Sequence, residues 1–327
     1  MMHNDSIRLF VGPMSKEIVD AVITFAHESG TPIGLIPSRR QIEYSGGYVN
    51  DWTSKEFVEY VRSQSSSVVL VRDHAGPGQG QLPDNGIRSL KEDIACGFDI
   101  IHIDPWKQAS SLEGGIEQTV NLISYCCELN QAVQFEIGTE AAIYPYSSAD
   151  LRRIIEEVRS RLGERFDRVK YAVVQSGVQI SGTENIGEFN PVRLEEMTSI
   201  CHEFGLISKE HNGDYLSTDE ILQRVQLGLG CINIAPEFGV MQTNAIIDMM
   251  TPGQLEEAYL ICEGAKKYEK WLPENFRANP PKQMIVELSG HYAFTNEPFA
   301  SLIRELNITL ASALYSRFNE IIHCWQI

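Results

Sequence analysis

Eight short runs of β-branched and apolar residues alternate with longer amphipathic stretches as far as about residue 250, and this rhythm constrains the fold more than any other feature. The runs are Ile7 to Val11, Pro32 to Ile36, Val68 to Arg72, Asp99 to Ile103, Ala132 to Ile137, Val169 to Val174, Gly205 to Lys209 and Cys231 to Ala235. Several are apolar on both faces, as strands of a parallel sheet covered by helices must be. The stretches between them predict helices over Ser15 to Glu28, Ser54 to Arg62, Ile87 to Cys96, Ile116 to Leu129, Ala149 to Leu162, Pro191 to Phe204 and Thr218 to Leu227. Eight such units predict an α/β chain closed into a (β/α)8 TIM barrel. An open dinucleotide-binding sheet is the weaker alternative. Gly12-Pro13-Met14-Ser15 follows the first run where a GxGxxG turn would be needed, and the glycines from Gly76 to Gly80 lack that spacing. Residues 1–250 are therefore read as the barrel and catalytic domain. Residues 251–327 form a mainly helical extension that caps the barrel or mediates oligomerisation, with a strand at Met284 to Leu288 and a last helix from Pro298 to Phe318.

A barrel of this kind builds its active site at the carboxyl ends of the strands, so the residues that end each run are the informative ones. Here they are polar: Ser38-Arg39-Arg40-Gln41, Asp73-His74, Asp104, Glu136 with Glu140, Gln175-Ser176, Glu210-His211-Asn212 with Asp214, and Asn233 with Glu237. His74, Glu136, Gln175 and His211 offer nitrogen and oxygen donors for a zinc-like divalent ion from four separate strands. No two of them share a short local motif, and a histidine beside an apolar run is as readily a hydrogen-bonded core residue. His102 sits inside the fourth run and is read as facing away from Asp104. His3, His27, His202 and His323 are read as surface or packing positions.

The chain carries 44 acidic against 27 basic residues, a formal charge of -17, and has no dense Lys/Arg run, so a nucleic acid partner is not expected. No apolar run is long enough to span a membrane, and Met1 to Arg8 lacks an apolar signal core, which points to a cytoplasmic protein. Seven scattered cysteines without a CxxC pair read as reduced, mostly buried side chains, the adjacent Cys126 and Cys127 included.

Six segments in series, QIEYSGGYV at Gln41 to Val49, DHAGP at Asp73 to Pro77, IHID at Ile101 to Asp104, FEIGTE at Phe135 to Glu140, VVQSGV at Val173 to Val178 and KEHNGDY at Lys209 to Tyr215, carry a family likeness. The chain resembles the class II tagatose-bisphosphate aldolase accessory-subunit family and its zinc-dependent aldolase and epimerase relatives. The resemblance implies that His74, Glu136, Gln175 and His211 hold Zn2+ or another divalent cation, and that Asp73 moves protons. Asp104 is assigned to the catalytic group with it. INIAPEF at Ile232 to Phe238 is similar to a strand of catalytic class II aldolases in which an asparagine contacts substrate, and Asn233 takes that place. Gln41 matches a glutamine near the family's pocket.

Two departures bear on the substrate. His211 is followed by Asn212-Gly213-Asp214 where catalytic aldolases have a Gly-Gly-Ser type phosphate loop, and the Asp214 carboxylate would repel a phosphate. Conversely, Arg39 or Arg40 can clamp a carboxylate or a single phosphate, with Arg40 read equally as a surface ion-pair partner. Arg39, Gln41, Ser176, Asn212 and Asp214 are the expected substrate contacts. The leading expectation is a metal-dependent carbon-carbon lyase acting on a keto sugar or keto-sugar phosphate. A C4 epimerase of a ketose or keto-uronate would use the same chemistry. The competing class is a non-catalytic subunit that stabilises a separate aldolase. A homo-oligomer and an aldolase partner subunit are both open.

Overall fold

Every one of the eight apolar runs becomes a strand in the computed structural model, which describes residues 7–304 and 308–326. The barrel strands are β1 (Leu9–Val11), β2 (Gly34–Leu35), β3 (Val69–Ala75), β4 (Ile100–Ile103), β5 (Gln134–Ile137), β6 (Val169–Val174), β9 (Ile207–Glu210) and β10 (Cys231–Ile234). They close in the order β1-β2-β3-β4-β5-β6-β9-β10, all parallel, with β10 returning to β1 through the pairs Leu9↔Ile232 and Phe10↔Asn233. A small antiparallel hairpin, β7 (Ile180–Ser181) with β8 (Glu184–Asn185), rises from the loop after β6.

Strand alternation sorts the side chains into two cores. Residues facing outward, such as Ile101, Ile103, Phe135 and Ile137, pack under the helices. Those facing inward, Ile7, Phe10, Ile36, Val71, Ile100, Tyr171 and Cys231, fill the barrel interior. Gly34 makes this filling possible, because a Cβ there would lie 2.3 Å from the Phe10 ring. The interior is thus plugged below, and polar groups are confined to its upper end.

The surrounding helices are α1 (Lys16–Ser29), α2 (Ser54–Gln64), α3 (Ile87–Cys96), α4 (Leu112–Leu129), α5 (Ser148–Leu162), α6 (Pro191–Glu203), α7 (Thr218–Gln226) and α8 (Pro236–Ile247). Local sequence starts them: Ser15, Thr53, Ser111, Ser147, Asn190 and Ser217 each accept a backbone N–H of the first turn. Beyond them lie α9 (Pro252–Ala265), α10 (Lys282–Ser289), α11 (Phe299–Ile303) and α12 (Ile308–His323).

The strand expected at Met284 to Leu288 is instead the body of α10. Its β-branched run is overridden by packing: Ile285, Val286 and Leu288 join Ala258, Cys262 and Phe299 in a core of the extension itself. The last expected helix, Pro298 to Phe318, is represented by α11 and α12, and residues 305–307 lie outside those described, as does His3. Phe318 of α12 meets Phe25 of α1 at 5.5 Å and Phe238 of α8 at 5.1 Å, so α12 packs directly on the barrel. All seven cysteines are unpaired and six are buried. No helix among the described residues is long and apolar enough to cross a membrane.

Candidate active site

His74 owes its position to a break in β3. The pairing of β3 with β4 slips between Arg72 and Ala75, and His74 adopts a left-handed backbone with φ of 46°. Such a bulge re-aims consecutive side chains that would otherwise alternate, and left-handed φ is uncommon for a residue with a Cβ. Asp73 and His74 consequently both reach the cluster at the mouth. Gly76 follows where the chain passes so close to the Asp104 carbonyl that a Cβ would lie 2.3 Å from it.

Three imidazoles converge there. The ring centres of His74, His102 and His211 lie 5.1, 5.5 and 4.9 Å apart. Each ring has one nitrogen held from behind: His74 Nδ1 by Asp104 at 2.6 Å, His102 Nε2 by the Gly138 carbonyl at 3.0 Å, and His211 Nε2 by Glu136 at 2.6 Å. A proton on each held nitrogen leaves the opposite nitrogen as a lone pair, the arrangement that prepares histidine for a metal; that of His102 accepts the His74 backbone N–H at 3.2 Å, which a cation would have to displace. Those opposite nitrogens face two carboxylates. His74 Nε2 is 3.5 Å from Asp73 and 3.8 Å from Glu140, His211 Nδ1 is 3.9 Å from each, and His102 Nδ1 is 3.0 Å from Asp73. Asp73-His74-His102, His74-Glu140-His211 and His102-Glu136-His211 each bring donor atoms within 4.8 Å of one another. Three nitrogens and carboxylate oxygens at this spacing fit a zinc-like divalent cation.

Electrostatics point the same way. Burial favours a neutral His74, yet Asp73, Asp104 and Glu140 outweigh it and push its pKa up to about 10. Burial would raise the Asp73 carboxyl, but His74, His102 and His211 hold it well below the usual carboxylate range. His102 is likewise raised, burial being outweighed by Glu136 and Asp73. The surrounding carboxylates make the cluster favourable to positive charge, and a bound cation would displace the imidazole protons and take their place.

Beneath it, Lys209 Nζ donates to Glu136 at 2.7 Å, both side chains fully buried, and stands 3.7 Å from the Phe10 ring centre. Burial raises Glu136, and Lys209, His102 and His211 more than reverse this. One Glu136 oxygen serves Lys209 and the other His211, so this carboxylate backs the cluster.

The remaining expected residues divide. Asn212 donates to Glu140 at 2.8 Å and so belongs to the cluster. Asn233 is 6 % exposed and, among the described residues, neither atom of its amide has a partner. Gln41 stands at the rim, where its oxygen accepts from Ser38 N at 2.7 Å and its nitrogen meets Met14 Sδ at 3.0 Å. Gln175, among the described residues, makes no hydrogen bond to the histidines. Its amide donates to the Thr139 and Tyr144 carbonyls and accepts from Tyr146 N and Arg193. Ser176 donates to Glu210, which pairs with Arg224 at 2.8 Å. Asp214 is buried and caps α8, accepting from Ala235 N and Glu237 N, so it is not displayed to repel a phosphate. Arg39 is spent on Glu43, Asp84 and the Gly76 carbonyl, while Arg40 next to it is exposed.

His102, Glu140 and Lys209 are the site residues that the sequence reading did not assign. The signal for His102 was present: residues two apart on a strand share a face, so His102 and Asp104 point to the same side.

No protein-family model matches the chain. It is 26% identical over 231 residues, 68% of this chain and 71% of the other, to 6-phospho-5-dehydro-2-deoxy-D-gluconate aldolase of Bacillus licheniformis. In three dimensions it is similar to a probable tagatose 6 phosphate kinase from Sinorhizobium meliloti 1021, with a TM-score of 0.74 at 18% identity over 97% of this chain and 96% of that one. Fructuronate-tagaturonate epimerase UxaE from Cohnella laeviribosi gives 0.70 at 11% over 100% and 82%. The YdjI aldolase of Escherichia coli K12 gives 0.59 at 14% over 98% and 92%. The chain thus shares its barrel, nearly end to end, with these proteins.

Proposed function

We propose that this chain is a divalent-metal-dependent enzyme of carbohydrate metabolism that breaks and makes a carbon–carbon bond of a keto sugar or keto-sugar phosphate by retro-aldol and aldol steps. One observation carries the reading: three imidazoles at the mouth of a barrel, each fixed from behind, turn their other nitrogens toward two carboxylates. His74, His102 and His211 hold the cation, with Asp73 and Glu140 beside it. When bound, the cation supplies Lewis-acid polarisation of a ketose carbonyl. Asp73 exchanges the proton of the substrate hydroxyl at the scissile bond. Asp104 and Glu136 keep the imidazoles in the right tautomer, and the unpartnered Asn233 amide offers hydrogen bonds to a sugar hydroxyl. Residues 1–250 supply the chemistry and the extension caps the mouth.

The 26% identical aldolase supports carbon–carbon chemistry, and the epimerase with the same barrel supports a variant in which the aldehyde fragment turns and recombines at C4. Incubation of the zinc- or manganese-loaded protein with ketohexoses, their phosphates and ketohexuronates, followed by NMR, separates the two outcomes. Aldehyde fragments identify an aldolase and C4 epimers identify an epimerase. Asp73→Asn is expected to lower either rate by about 10²- to 10⁴-fold. A metal-loaded protein that turns over nothing until an aldolase subunit is added would instead be the non-catalytic partner.

A further inference from the structure

Two residues of the extension connect loops that rise from opposite sides of the barrel. β2 and β6 stand four strands apart in the closed order, and the loops after their carboxyl ends carry Tyr48 and the β7–β8 hairpin. The Tyr48 ring meets the Tyr292 ring edge-on at 4.8 Å, Trp271 Nε1 donates to the Tyr292 hydroxyl at 3.2 Å, and the Trp271 carbonyl accepts from Gly182 N of the hairpin turn at 2.6 Å. Eight strands about 4.8 Å apart and tilted by about 36° enclose a mouth about 15 Å across, with a half-circumference of about 24 Å. Two side chains match the first distance and not the second, so the link passes over the mouth. The hairpin approaches it closely: a Cβ on Gly182, whose φ is 61°, would lie 3.0 Å from Pro273 Cγ. The link is also anchored from beneath. Tyr268 and Leu272 near Trp271, and Ala293 and Phe294 beside Tyr292, are buried in the extension's own core. His291 packs so tightly on α8 that a Cβ at Gly239 would lie 3.0 Å from its ring.

Under this strap the histidine cluster is covered and not sealed. The side chains of Asp73, His74 and Glu140 keep 16, 17 and 18 % exposure, whereas His102 and His211 keep 0 and 3 %. Solvent therefore reaches the cluster through openings beside the strap. The hairpin end is tied to the site as well: Asn185 Nδ2 donates to the Asn212 and Asp214 carbonyls at 3.1 Å, and Asn212 in turn donates to Glu140. We propose that the Trp271–Tyr292 strap is the specificity-determining element of this site, dividing the mouth so that a free open-chain sugar or its monophosphate enters while a sugar joined through a glycosidic bond to a further residue does not. The proposal rests on reading the histidine cluster as the reacting end, and it adds a limit on substrate size. An acyclic monosaccharide is a narrow chain that passes end-on, whereas a glycosidic ring is broad and stiff.

The test is the access of alkylating reagents of two sizes. Glu140→Cys places a thiol under the strap in the full chain, with Asn212→Cys as a second probe position. Its alkylation in the presence of EDTA is followed by peptide mass for N-ethylmaleimide and for the bulky fluorescein maleimide. Adding Trp271→Ala or Tyr292→Ala should speed fluorescein maleimide by about ten-fold or more and N-ethylmaleimide by less than about two-fold, with the thermal midpoint confirming the fold. Either substitution decides the matter if the other unfolds the chain. An unchanged fluorescein maleimide rate, or equal acceleration of both reagents, overturns the strap. Turnover is the separate readout: Trp271→Ala should raise kcat/KM for a ketose with a glycosidic substituent relative to that for the free ketose. Size-selective alkylation in a protein that turns over no sugar contradicts the carbon–carbon chemistry and leaves the strap standing. Turnover of free ketoses without size-selective alkylation contradicts the strap alone.

Discussion

Replacing Lys209 by Met strips the counter-charge from a carboxylate that has no access to water. Lys209 and Glu136 are 2.7 Å apart and both fully buried. At an effective dielectric of about 20 their attraction is about 6 kcal/mol, and breaking a buried pair by deleting one partner costs about 3–5 kcal/mol. The loss has a ceiling, because Glu136 can take up a proton. From its ordinary value of 4.5, doing so at pH 7 costs about 3.4 kcal/mol. Urea unfolding followed by circular dichroism should therefore show Lys209→Met less stable by about 3–5 kcal/mol at pH 7, a large part of the 5–15 kcal/mol typical of a folded protein. The sign with pH is fixed as well. The folded pKa of Glu136 is depressed, so the pair's contribution is complete above the unfolded value near 4.5 and is lost as pH falls toward the folded value. Adding Glu136→Gln to Lys209→Met should recover part of the loss, since no unpaired charge then remains. A loss below about 1 kcal/mol, the value of a surface pair, would refute the buried pair.

Three further outcomes follow from the same geometry. Asp104→Asn removes the group that fixes His74 Nδ1 and should weaken metal affinity by about 10- to 100-fold in equilibrium dialysis, whereas an unchanged affinity would place Asp104 outside the site. Burial and the neighbouring Glu237 raise Asp214 to about 7 from 3.8, so the folded chain keeps a proton that the unfolded chain has released, and stability falls as pH rises between these values. That slope amounts to at most about 4 kcal/mol, and Asp214→Asn, whose carbonyl can still cap α8, should abolish it; denaturation curves of the two proteins that run parallel across pH 4–8 would contradict this. Phe318→Ala should cost about 3–5 kcal/mol by emptying the contact of α12 with Phe25 and Phe238, and a thermal midpoint unmoved by it would mean that α12 does not pack on the barrel.

The barrel was legible because strands of a covered parallel sheet are apolar on both faces and the intervening helices carry their own caps, so each unit declares itself locally. The β7–β8 hairpin was not, since two-residue strands have no period to read. Met284 to Leu288 misled because a β-branched run takes its conformation from its neighbours, here α9 and α8. The rule that strand ends carry the chemistry picked out Asp73, His74, Asp104, Glu136 and His211, which the structure gathers into one cluster. It could not tell which of two polar ends meets the cluster: Gln175 and His102 both sit near strand ends, but loop carbonyls claim the amide of Gln175 while His102 lies among the histidines. Arg39 was misplaced for the same reason, since a partner 45 residues away in sequence, Asp84, holds its guanidinium.

Metal content separates the two ligand sets most directly. Purified wild-type protein, His102→Ala and Gln175→Ala are loaded with zinc, desalted and assayed for bound metal, with circular dichroism confirming that each is folded. Near-equimolar zinc in wild type and Gln175→Ala, with loss in His102→Ala, is the predicted result. Zinc retained by His102→Ala and lost from Gln175→Ala, or no zinc in any of the three, would contradict a cation held by His74, His102 and His211.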